Sequence, residues 1–133
     1  MKSMRCLYME IFVVLLLIEI FIGTCLKGGI IRIYGGDVLV LPVLYFLVRI
    51  FWTKSSSGSC CILPAALFFI GAIAEILQAM DLVEVLGMEK DSLLGILMGS
   101  TCDSVDLICY GIGMLLIYSY VFLEKRFQKE EER

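Results

Sequence analysis

Acidic side chains interrupt the apolar stretches of this 133-residue chain. Glu19 and Glu75 lie deep within apolar runs, whereas Asp37 and Asp106 lie near the starts of two others. A charged side chain in lipid is costly, so such residues normally face the protein interior or a water-filled cavity. Carboxyl groups gathered in such a place can hold a proton, act as a general base or bind a metal ion. These four residues are therefore the first candidates for chemistry.

Four apolar stretches must position these side chains. Of all residues, 60% are hydrophobic and 19% are charged, against about 45–50% and 25% in soluble domains. A transmembrane helix needs roughly 20 apolar residues. We therefore predict an all-α membrane protein, a four-transmembrane-helix bundle that forms a single domain over residues 1–123, followed by a charged cytoplasmic tail over residues 124–133. The predicted helices cover residues 7–26, 36–52, 62–80 and 105–123.

The segment between the third and fourth stretches has a different pattern. From Asp81 to Thr101, short apolar runs alternate with Glu84, Glu89 and Lys90. None of these runs is long enough to cross a bilayer. We predict a short interfacial or re-entrant helical segment here.

The positive charges are distributed unevenly over the loops. Eight of the 11 lysines and arginines flank the N-terminus, the second loop and the tail, and three flank the other two loops. Because short basic loops stay in the cytoplasm, both termini are predicted to be cytoplasmic.

This topology places polar side chains from all four helices in one layer near the outer face. We predict a polar pocket open to that face, lined by Glu19, Arg32, Asp37, Glu75, Gln78, Asp103 and Asp106. Arg32 is the expected partner of the carboxylates. The alternative is structural, with Asp37 and Asp103 capping helix starts and Gln78 bridging two helices. For Glu19 and Glu75, the cost of burial favours a functional role.

Residue types also exclude whole classes of site. The chain has no histidine, so a Ser-His-Asp triad, a Cys-His dyad and an HExxH zinc site are impossible. The six cysteines form no CxxC motif, and we predict no metal site and no cofactor; whether Cys25 and Cys102 pair stays open. A net charge of −3 argues against binding nucleic acid.

Two further sets of residues have predicted structural roles. The first is an aromatic belt that anchors the cytoplasmic boundary, formed by Tyr8, Trp52, Tyr118 and Tyr120. The second is a set of small residues that allow helices three and four to pack closely, namely Gly71, Ala72, Ala74, Gly111 and Gly113.

Several short motifs follow one another in a fixed order. They are Arg32 through Asp37, Glu75-x-x-Gln78, Gly99 followed by Asp103-x-x-Asp106, and Tyr110-Gly111-x-Gly113. From about Leu7 to Tyr118, the chain resembles the bacterial membrane family catalogued as domain of unknown function 2809. The Glu75-x-x-Gln78 motif, followed by an aspartate that opens the last helix, is also similar to the wider VanZ-like group, linked to resistance against glycopeptides such as teicoplanin. The resemblance implies a multi-pass protein of the bacterial inner (cytoplasmic) membrane with its motif residues clustered, and it implies no established reaction.

The function that fits best is a multi-pass protein in the lipid bilayer with a VanZ-like role in the cell envelope. Its pocket would take a lipid-linked or envelope ligand. One alternative is an intramembrane enzyme that acts on a lipid-linked substrate with Glu75 and Asp106 as base or metal ligands. The other is a small proton-coupled carrier with Glu75 as the titrating group. Four helices make a narrow path, so a carrier would need a homodimer.

Overall fold

The computed structural model describes residues 3–52, 58–80, 85–87 and 104–133, with residues 78 and 79 described by their backbone alone. These ranges hold four long helices: α1 (Met4–Cys25), α2 (Ile30–Phe51), α3 (Ser59–Ala79) and α4 (Ser104–Glu131). Each helix is long and apolar enough to cross a membrane. The structure confirms the predicted all-α four-helix bundle, and the chain is a multi-pass membrane protein.

Two helix boundaries differ from the predicted ones by more than three residues. The helix α2 begins at Ile30, six residues earlier than expected, and runs through Gly35 and Gly36. A Cβ on Gly35 would lie 3.4 Å from the Ile22 side chain, so this first part of α2 already packs on α1. The turn before it depends on Gly29, whose φ of 97° lies in a region that favours glycine.

The helix α4 continues to Glu131, through most of the predicted tail. Glutamate, lysine, arginine and glutamine are good helix formers, and Arg126 lies 4.0 Å from Glu130 one turn later. With 28 residues, α4 is about 42 Å long, more than the roughly 30 Å of a hydrocarbon core. The predicted interfacial or re-entrant segment falls almost wholly outside the described residues.

The helix α2 is the centre of the bundle. It packs against the three other helices, while α4 also packs against α3. The buried core comes from all four helices and consists of Tyr8, Leu41, Tyr45, Phe46, Cys60, Ile117 and Val121. Large apolar side chains such as Phe21, Phe69 and Phe122 are more than half exposed on the outside of the bundle, where they suit contact with lipid.

Small residues set the closest approaches between helices. Gly71 of α3 lies under the ring of Tyr110 on α4, where a Cβ would be 3.1 Å from the ring. Gly113 of α4 faces α2 and not α3, because a Cβ there would lie 2.5 Å from the carbonyl oxygen of Val38. The predicted contact between α3 and α4 therefore exists at Gly71, whereas Gly113 belongs to the contact between α2 and α4.

Candidate functional site

Glu75 is the acidic residue most completely removed from the surface among those described. It lies in the last turns of α3, and its side chain is only 4% exposed. The hydroxyl of Tyr110 on α4 donates a hydrogen bond of 3.0 Å to Oε1 of Glu75. The other oxygen, Oε2, is buried and has no hydrogen-bond partner among the described residues. Such a group is expensive to leave unsatisfied, which marks this place for a proton or a further polar partner.

Asp37 and Asp106 lie beside Glu75. The carboxyl group of Asp37 on α2 lies close to that of Asp106 on α4, and Glu75 and Glu19 are near enough for their charges to act on Asp37. Asp37, Asp106 and Glu19 are half-buried. The four helices thus bring one carboxyl group each to a common region, called the acidic cluster below: Glu19, Asp37, Glu75 and Asp106.

The other three predicted pocket residues have different outcomes. Arg32 is exposed on α2 and forms no ion pair with the acidic cluster in the part of the chain that the structure describes. It lies five residues before Asp37, which places the two side chains about 140° apart around the helix. Asp103 and the side chain of Gln78 lie outside what the structure describes.

The acidic cluster is suited to proton chemistry. Carboxyl groups gathered in one region repel one another when all of them are charged, and a proton or another positive group relieves this repulsion. No group of three or more histidine, cysteine, aspartate or glutamate side chains among the described residues is arranged to hold a metal ion.

A second polar cluster lies at the opposite end of the bundle. Arg49 Nη2 on α2 donates a 2.6 Å hydrogen bond to the hydroxyl of Tyr8 on α1, and this hydroxyl donates to Oε1 of Glu124 on α4. The guanidinium of Arg49 also stacks 4.9 Å from the centre of the Tyr8 ring. Asp106 and Glu124 are about 27 Å apart along α4, so the two polar clusters lie near opposite edges of a hydrocarbon core.

The position of Tyr8 corrects one prediction. Tyr8 is 1% exposed and belongs to the core, not to an aromatic belt in contact with lipid. The reason is that its hydroxyl has two charged partners inside the bundle, which satisfy it away from the membrane surface. Trp52, by contrast, is 69% exposed, and the Tyr118 hydroxyl donates to the carbonyl of Cys61 at 2.7 Å.

The sequence matches a known protein family. A family model described as Protein of unknown function (DUF2809) matches residues 26–114, more than half of the chain. The chain belongs to the DUF2809 family. No curated protein and no solved structure matches it.

The DUF2809 match covers most of the acidic cluster. It spans α2, α3 and the first part of α4, and so it includes Asp37, Glu75, Asp106 and the donor Tyr110. Glu19, Tyr8 and Glu124 fall outside it. Three of the four clustered carboxyl groups therefore belong to the part of the chain that defines the DUF2809 family, whereas the second polar cluster has only Arg49 within that part.

Proposed function

We propose that this DUF2809 protein is a bacterial inner-membrane protein whose acidic cluster forms a polar pocket open to the outer face. The pocket binds protons and a lipid-linked or envelope ligand that presents a positive charge or hydrogen-bond donors. The role would be a VanZ-like one in the cell envelope. Both termini lie in the cytoplasm, since most of the lysines and arginines flank that side.

The observation that carries this proposal is the environment of Glu75. Its carboxyl group is buried with one oxygen unsatisfied among the described residues, in the same region as the carboxyl groups of Asp37 and Asp106. A purely structural carboxylate inside a membrane protein would be expected to have both oxygens satisfied by helix amides or by a basic side chain. Here only Tyr110 donates to it among the described residues.

The proposal predicts that Glu75 reacts with dicyclohexylcarbodiimide, an apolar reagent that modifies protonated carboxyl groups. Mass spectrometry of protein labelled in membranes should find the adduct on Glu75. A Glu75→Gln variant should lose this adduct, whereas a control variant, Glu130→Gln, which changes an exposed residue of α4, should keep it.

The opposite labelling pattern would contradict the proposal. If the reagent modified Glu130 and other exposed carboxylates but left Glu75 unmodified, Glu75 would not be a reactive carboxyl group within reach of the membrane. The acidic cluster would then be a structural feature.

An intramembrane enzyme is distinguished by its response to magnesium. No three acidic side chains among the described residues are arranged to hold a metal ion by themselves, so a magnesium ion bound here would need phosphate oxygens of a lipid-linked substrate as further ligands. A thermal shift on addition of Mg²⁺ that disappears in Glu75→Gln and in Asp106→Asn would favour the enzyme. The envelope role itself is tested by the teicoplanin susceptibility of cells that produce the wild type or Glu75→Gln.

A further inference from the structure

A cleft lies between α2 and α3 at the end of the bundle that holds the second polar cluster. Its volume is about 210 Å³, and its apolar wall consists of Val48, Ile62, Leu63 and Ala66. Ile62 is 68% exposed, so this wall reaches the outside of the bundle. A surface of this kind within a membrane fits a hydrocarbon chain, because lipid tails are as apolar as the side chains.

The cleft also has a wall with polar groups. Its side chains are those of Arg49, Trp52 and Ser59. Ser59 is the first residue of α3, and the unpaired amides at a helix start attract anions. Trp52 is 69% exposed, as expected for an indole at the boundary between headgroups and hydrocarbon.

The charges around this end of α3 favour an anion. Nζ of Lys125 lies 3.4 Å from Sγ of Cys61, which places a second cation beside the first turn of the helix. The nearby carboxylate, Glu124, accepts the hydrogen bond of Tyr8 and is not part of the cleft. Arg49 and the start of α3 are therefore the positive groups of the cleft itself, whereas Lys125 and Glu124 both lie outside its lining.

We propose that this cleft binds an anionic phospholipid. Its phosphate lies near Arg49 and the first turn of α3, and one acyl chain lies along the apolar wall. Basic pockets between transmembrane helices are a recurrent means of binding anionic headgroups. The lipid would connect α2 and α3, which pack against each other less extensively than α2 packs against α1 or α4. This site is separate from the acidic cluster and does not depend on the function proposed for it.

The experiment compares two lipids with the same acyl chains on the full-length protein in detergent. Phosphatidylglycerol should bind about fivefold more tightly than phosphatidylcholine, the effect of roughly one additional charge contact, as measured by native mass spectrometry. It should also raise the melting temperature more.

Matched variants separate lipid binding from folding. Ser59→Asp suits a helix start but repels a phosphate, so it should abolish the preference for phosphatidylglycerol, whereas the uncharged Ser59→Asn should retain it. Ala66→Leu fills the apolar wall and should weaken both lipids, while Ala74→Leu, at an exposed position elsewhere on α3, should not. Arg49→Gln is less specific, because it also removes the hydrogen bond to Tyr8 and so changes folding as well as lipid binding.

Three results would overturn the proposal. Equal binding of the two lipids by the wild type would show that the charge has no role. Competition by glycerol 3-phosphate as effective as that by the lipid would show that the site takes a free phosphate. A preference for phosphatidylglycerol that survives Ser59→Asp would place the lipid elsewhere on the protein.

Discussion

The hydroxyl of Tyr8 links three helices, because it accepts from Arg49 on α2 and donates to Glu124 on α4. Both partners are ionisable, and Arg49 is only 5% exposed. Hydrogen bonds to charged groups are stronger than neutral ones, and a buried polar group that loses its partner keeps its desolvation cost. Tyr8 therefore contributes to stability through its hydroxyl and not only through its ring.

This predicts that Tyr8→Phe lowers the free energy of unfolding by about 1–3 kcal/mol. The ring and its packing against Phe46 stay in place, so the loss measures the hydroxyl alone. Thermal or denaturant unfolding in detergent is the measurement. The control is Tyr118→Phe, which removes an exposed hydrogen bond to the Cys61 carbonyl and should change the stability by less than about 0.5 kcal/mol. Equal losses in the two variants would contradict this account.

For single residues, the sequence predicts which side chains are candidates for a site better than it predicts the partners of those side chains. Glu75 and Asp106 stand out because a carboxylate in an apolar stretch is expensive, whatever the packing. Tyr8 does not stand out, since a tyrosine near the end of an apolar helix fits a lipid boundary and a buried network equally well. Arg32 was the expected partner of the carboxylates, but the turn of the helix between it and Asp37 separates their side chains.

The close contact between α2 and α4 depends on a single glycine, Gly113. At Gly113 a Cβ would lie 2.5 Å from the Val38 carbonyl oxygen and 3.3 Å from Cδ of Pro42. Backbone cannot move away as a flexible side chain can, so any larger residue must separate the two helices. The acidic cluster spans this contact, because Asp37 and Asp106 belong to the same pair of helices.

Gly113→Ala should therefore destabilise the protein by about 1–3 kcal/mol, the usual range for overpacking a well-packed site. Gly111→Ala is the matched control, two residues away on the same helix, where the nearest atom to a Cβ is Cε2 of Phe68 at 4.0 Å. This substitution should be neutral or slightly stabilising, since alanine is the better helix former. The measurement is the melting temperature of the two variants in the same detergent. A Gly113→Ala variant that melts at the wild-type temperature would contradict the close approach of α2 and α4.

The helices themselves could be predicted from length and hydropathy, but the start of α2 and the end of α4 could not. The start of α2 was expected at residue 36, where the apolar run begins, but the helix starts at Ile30 and its first turns already pack on α1 at Gly35. The end of α4 was expected at residue 123 because the apolar residues stop there, yet the charged residues that follow are helix formers and continue it to Glu131.

The whole molecule has a polar cluster near each end of the bundle and an apolar exterior between them. Clustering of the four carboxyl groups could be anticipated from sequence, because their depths agree once the helices alternate in direction. The exchange of hydrogen bonds among Tyr8, Arg49 and Glu124 could not, because it depends on how three helices rotate about their axes. Charge distribution adds the orientation, which predicts that the acidic cluster faces outward and the second polar cluster inward.

The most direct test of the outward-facing pocket is the accessibility of position 106 in intact cells. In a cysteine-free background, Asp106→Cys should react with a membrane-impermeant maleimide added outside. Two further proteins keep one native thiol each. The protein that keeps only Cys25, exposed at the end of α1, is the outer reference and should react as well, whereas the protein that keeps only Cys61, exposed at the start of α3, should react only after the cells are permeabilised. Protection of position 106 in intact cells while Cys25 reacts, or reaction at Cys61 instead of Cys25, would contradict the account.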